Sequence, residues 1–160
     1  MKWATRKNMQ VDRAASVWLI RKFIDENAKF EFIDEDKMLE YTKRGIYTFD
    51  AKDAKFKHLE DEHGGKYGEK CTFQILMTEY SLENIYPELD YMAKIIYAAD
   101  IGHRIDIFSP MEGYGLWALT KGLSISIPND SDKIDLLMDM FDALYAYCRF
   151  SVNRSQEYNS

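Results

Sequence analysis

The chain has 160 residues, 46% hydrophobic and 14% aromatic, with only 8 Gly and 3 Pro; this suits one domain with a real core and excludes a disordered or collagen-like polymer. Its 21 basic side chains stand against 27 acidic ones, and a formal charge of -6 argues against a broad phosphate-binding face for DNA or RNA while leaving room for a local basic pocket. The 2 cysteines, Cys71 and Cys148, supply no disulfide framework, and no apolar run approaches the roughly 18 residues that a bilayer-spanning helix needs.

In chain order, residues 2–6 alternate and predict a short strand, followed by the polar link 7–10. Positive charge at Lys2, Arg6 and Lys7 is followed by no apolar stretch of the targeting kind, so the expectation is a cytoplasmic protein. Asp12 is placed to cap a largely buried helix over 13–25, and residues 28–34 alternate as a second strand. Strand, helix and strand at this spacing predict a parallel crossover. A short polar helix over 36–44 is expected to end at Gly45. Two further short strands follow, at 46–50 and 55–58, and then a charged, glycine-containing loop over 60–70.

Beyond Cys71 the patterning turns helical. Thr72 is expected to cap a helix over 73–80, and Pro87 to open another over 88–99. A segment with Gly113 and Gly115 leads into 116–121. The last helix carries one stripe of Ile134, Leu137, Met138, Phe141, Leu144, Tyr145 and Cys148, with Asp135, Asp139 and Asp142 off it. The expected fold is therefore α+β and helix-dominated, a single domain over 1–150 with a small mixed β-sheet in the N-terminal half and a polar, frayed tail at 151–160.

Three groups of side chains could carry chemistry. Lys2, Arg6, Arg13 and Arg21 cluster early, and arginine forks beside a helix N-terminus suit a small oxyanion. The competing explanation is that Arg21 pairs with Asp25 and Arg13 with a distant carboxylate. His58 and His63 bracket Glu60, Asp61 and Glu62, a donor set that suits iron, manganese or zinc; the alternative is a solvated acidic loop. His58 is the expected centre of a metal site with Asp100 and Glu112, while His63 and Cys71 are weaker candidates and Asp100 could instead pair with an early arginine. Cys71 precedes a helix, whose dipole would lower a thiol pKa, although a small packed residue explains it as well.

Several segments together resemble one family. Lys2-Trp3-x-Thr5-Arg6, then Asp12-Arg13-x-Ala15-x-x-Trp18-Leu19-Ile20-Arg21, then Phe49-Asp50, Phe56-x-His58 and Gly68-Glu69-Lys70-Cys71-Thr72-Phe73 are similar to the chromate-resistance domain family, also found as the C-terminal part of ChrB-type regulators. Ala99-Asp100 and Asp142-Ala143-Leu144-Tyr145-Ala146-Tyr147-Cys148-Arg149 extend the likeness over nearly the whole chain. Ser16 and Val17 stand where the family usually has cysteine and proline, and the longer stretch before Cys71 leaves His58 and His63 as rival fits to the family histidine. The resemblance implies a role in chromate resistance and supplies no activity.

The expected function is binding of a metal ion, a small oxyanion or both, for sensing or detoxification. A divalent or trivalent metal ion is the expected cofactor, and neither nucleic acid nor a membrane is an expected partner. A metal-dependent redox enzyme and a structural interaction module without metal are the alternatives; the sequence leaves the oligomeric state open.

Overall fold

In a computed structural model of the protein, which describes residues 1–57, 70–101 and 110–158, the N-terminal half builds a three-stranded sheet and the C-terminal half a layer of helices. Strand β1 (Lys2–Arg6) lies between β2 (Lys29–Ile33) and β3 (Tyr47–Thr48). Both pairings are parallel, with Trp3 opposite Phe30 on one side and Tyr47 on the other. The expected strand over 55–58 contracts to a single parallel bridge between Phe49 and Phe56, and His58 lies outside the described residues.

All parallel pairings require crossovers, and helices supply them. Helix α1 (Val11–Leu19) joins β1 to β2 and runs on into a π-helical turn, Ile20–Ile24. All nine residues of α1 are buried, because it packs against four other helices: α3 (Thr72–Glu79), α4 (Pro87–Ile101), α5 (Glu112–Ser126) and α6 (Asp130–Tyr158). A 3-10 turn and α2 (Met38–Lys43) make the second crossover. It ends as expected at Gly45, whose φ of 77° and whose N–H bond to Thr42 O, beside that of Ile46 to Tyr41 O, form a Schellman closure.

The core has two aromatic foci. Trp3, fully buried, meets Tyr47 at 4.9 Å and also touches Phe49, Phe56 and Tyr80. Trp18 packs among Phe23, Phe141 and Tyr145 and donates its indole N–H to Asp142 at 2.8 Å. At the α4–α5 crossing, a Cβ on Gly113 would lie 2.8 Å from Ala98 Cβ, so glycine there permits the close approach.

Three helix ends differ from the sequence expectation. Gln10, not Asp12, occupies the N-cap position of α1, with no side-chain capping bond, and Asp12 sits inside the first turn. Its carboxylate caps a different helix, accepting the backbone N–H groups of Thr72 at 2.8 Å and Phe73 at 2.9 Å at the start of α3. Cys71, rather than Thr72, is the N-cap residue of α3, and its N–H bonds the Gln74 side chain at 3.1 Å. Helix α6 continues through Tyr158, past the point where a frayed tail was expected, with Arg154 over the Phe150 ring one turn back. Among the described residues no helix is long and apolar enough to cross a membrane.

Since Asp12 neutralises two buried donors 60 residues away, Asp12→Ala should cost about 2–4 kcal/mol of unfolding free energy in urea titration. A loss below about 0.5 kcal/mol, the range of an ordinary surface substitution, would contradict the capping role.

Candidate anion cleft

The polar centre of the molecule lies where β1 hands over to α1. Residues 7–10 make this link, and Asn8 adopts a left-handed conformation with φ 63°. The turn is held from outside by Asp130, the buried first residue of α6, which accepts the N–H groups of Asn8 at 2.7 Å and Met9 at 2.9 Å. Lys133 pairs with the same carboxylate at 2.8 Å, and Ser124 donates to Met9 O.

Arg13, in the first turn of α1, reaches back over this link. Its Nη1 donates to Lys7 O at 3.2 Å and Asn8 O at 2.8 Å, and its Nε lies 2.8 Å from Asp50 Oδ2. The guanidinium is 2% exposed. Burial works against its charge and lowers its pKa; the Asp50 carboxylate opposes that shift, while neighbouring Arg6 adds to it. Asp50 is itself left-handed, with φ 52°, a conformation L-residues adopt at a cost. Thr72 Oγ1 donates to its other oxygen at 3.4 Å.

Arg6, at the end of β1, completes the group. Its Nε donates to Asp50 O at 3.1 Å, and Nη1 is 3.7 Å from Glu35, a long contact for a side chain 42% exposed. Arg6, Lys7, Gln10 and Arg13 line a cleft of about 280 Å³ together with Asp34 and Glu35. Lys7 holds Asp34 at 2.8 Å, and that bond keeps the Asp34 carboxyl below its usual pKa. On the other side of Arg6 a second hollow of about 270 Å³ carries Lys52 and Lys57.

The remaining sequence candidates lie elsewhere. Lys2 occupies the opposite end of β1, 3.7 Å from Glu31. Arg21 stacks over Phe30 at 5.4 Å; eight helical residues beyond Arg13 amount to about 12 Å of rise, too far to join the cleft. Only Arg6 and Arg13 of the four expected cations are brought together. Glu112 lies between two tyrosines: its Oε1 accepts the hydroxyls of Tyr147 at 2.6 Å and Tyr91 at 3.0 Å, and the Tyr147 bond leads in lowering its pKa. Asp100 lines a separate cavity of about 290 Å³ that also includes Gln10, Trp117, Lys121 and Lys133. His58 and His63 lie outside the described residues, among which no three His, Cys, Asp or Glu side chains are grouped to hold a metal ion.

Cys71 reverses the expectation of a lowered pKa. Burial pushes the thiol well up, and the carboxylates of Asp12 and Asp100 push it further, outweighing the N–H groups at the start of α3. Cys148 is also buried and pushed up to about 12. The Ser16 hydroxyl is buried with no hydrogen-bond partner among the described residues. Sequence reasoning passed over Lys7 and Gln10 as cleft residues; the signal for Gln10 was its place two residues ahead of the conspicuous Asp12-Arg13 pair.

Residues 3–148 match the family described as ChrB, C-terminal domain. Over 146 residues the chain is 30% identical to Protein ChrB of Cupriavidus metallidurans, a match that takes in 91% of this chain and 40% of that protein. The chain thus spans well under half the length of this curated relative. No solved structure gave a significant match.

Protonated thiols react slowly, because the thiolate is the nucleophile. The folded protein at neutral pH should therefore leave both cysteines unlabelled by a disulfide reagent for as long as it stays folded, and denaturant should release two thiols at once. One thiol reacting quickly in the native state would contradict the burial and charge environment of Cys71.

Proposed function

The chain belongs to the family of ChrB C-terminal domains, and from that premise we propose that it binds a small tetrahedral oxyanion of the chromate class in the cleft between the end of β1 and the start of α1. The observation that carries this reading is the convergence of Arg6 and Arg13 on one cleft in a chain of net charge -6. Arg13 supplies fixed positive charge from below. Arg6 is the adjustable partner: its Nε is committed to Asp50 O, while among the described residues its Nη1 has only the long contact to Glu35 and can turn to an anion. Lys7 adds a third cation, and Gln10, at the N-cap position of α1, lines the cleft beside it.

Binding is favoured over reduction by this chain's own thiols, since both are buried and held protonated. A metal-centred reading would rest on His58, outside the described residues. The carboxylates of Asp34 and Glu35 compete for the same cations, so an entering dianion must displace Glu35 from Arg6. That competition makes the affinity modest and salt-dependent.

Calorimetric titration with chromate, and with sulfate as an isosteric, redox-inert anion, tests the reading. Arg6→Ala should weaken binding about 10-fold or more, the scale of one lost charge-assisted hydrogen bond, with the fold intact. Glu35→Gln should strengthen it by removing the competing carboxylate. Wild-type protein that binds neither anion, or binding indifferent to Arg6, would refute the proposal.

A further inference from the structure

Helix α5 presents a face to solvent that carries almost no charge. Met111, just before it, is 84% exposed, Ile125 72%, Leu119 61%, Tyr114 49% and Trp117 45%. Between them on the same face lie Gly115, Ala118 and Gly122, all exposed, and a Cβ added to either glycine would meet nothing within 4 Å. Lys121 is the one charged side chain in this arc, in a protein where 30% of residues are charged. The opposite face, with Gly113, Leu116 and Thr120, is buried against the core. The exposed face offers roughly 600 Å² of apolar surface, the upper end of what a monomer ordinarily leaves to water in its largest patch.

We propose that this face is the interface of a homodimer in which two α5 helices pack antiparallel about a two-fold axis at Ala118. The pattern is self-complementary about that residue, as an isologous contact demands. An axis at Ala118 sets Tyr114 at the level of Gly122 of the second copy, Lys121 at the level of Gly115, and Met111 at the level of Ile125. Each large side chain then lies beside a glycine or an apolar partner, and the central small residues let the backbones approach closely. Two such faces bury about 1,200 Å² together, the lower bound for a stable specific interface. A partner bearing a charged surface would leave this arc unmatched; a second copy matches it at every level. Trp117, Lys121 and Ile125 also line the Asp100 cavity, so the second copy would sit beside its mouth.

Sedimentation equilibrium from micromolar to hundred-micromolar protein tests the dimer. Association should strengthen with added salt, because each copy carries a charge of -6 and the repulsion is screened. Ala118→Glu places two like charges at the axis and should weaken association about 100-fold, while far-UV circular dichroism and the melting temperature stay unchanged. Under mild oxidation Ala118→Cys should cross-link into a covalent dimer, whereas Lys43→Cys, on the exposed end of α2, should not. A wild-type chain that stays monomeric throughout overturns the proposal, as does a dimer that Ala118→Glu leaves intact or that Ala118→Cys fails to cross-link. None of these outcomes depends on the anion cleft.

Discussion

The Arg13 side chain, 2% exposed, keeps its charge in the interior by ion pairing with the Asp50 carboxylate and by donating from Nη1 to two backbone carbonyls. Through Asp50 it fixes the strained turn after β3; through Lys7 O and Asn8 O it fixes the link between β1 and α1. Both left-handed residues flanking it, Asn8 and Asp50, owe their conformation to this grip. The adjacent Asp12 does the same for the other half of the molecule by capping α3. Two consecutive side chains thereby tie the sheet, α1 and the helical layer into one body. Asp130 and Lys133 add a second buried pair on the far side of the same link.

The cleft inherits its chemistry from this arrangement. Because Arg13 is spent on holding the backbone, it contributes a fixed field and little freedom. Arg6, half in water, contributes freedom and a donor face. Folding thus fixes the Arg13 charge in place, while Arg6 keeps the freedom to turn. Burial disfavours the Arg13 charge, as its lowered pKa shows.

Local pattern made much of this legible. The period-two runs at Trp3 and Phe30 gave the strands, and the stripe ending at Cys148 gave α6, because burial on one face leaves a signature in one segment. Asp12 shows where such reasoning stops: its position before an apolar run suggested a cap for its own helix, while its partners lie 60 residues away and leave no local trace. Arg21 failed for a geometric reason, since nearness in sequence along a helix is separation in space. Glu112 was drawn to two tyrosine hydroxyls that only the packing of α4 against α5 and α6 brings together. Helix α5 runs from Glu112 to Ser126, well beyond the expected 116–121, because its glycines lower helix propensity and tertiary context overrides it.

The proposed oxyanion site at Arg6 is open to a direct test. Anomalous diffraction from crystals soaked in selenate, a tetrahedral dianion of the chromate class with a strong selenium signal, locates it directly. The account predicts one ordered selenium peak in the cleft, with selenate oxygens within hydrogen-bond distance of Arg6 and Glu35 swung away. Selenate ordered at the Lys52 and Lys57 hollow or in the Asp100 cavity, with the Arg6 cleft empty, would contradict it.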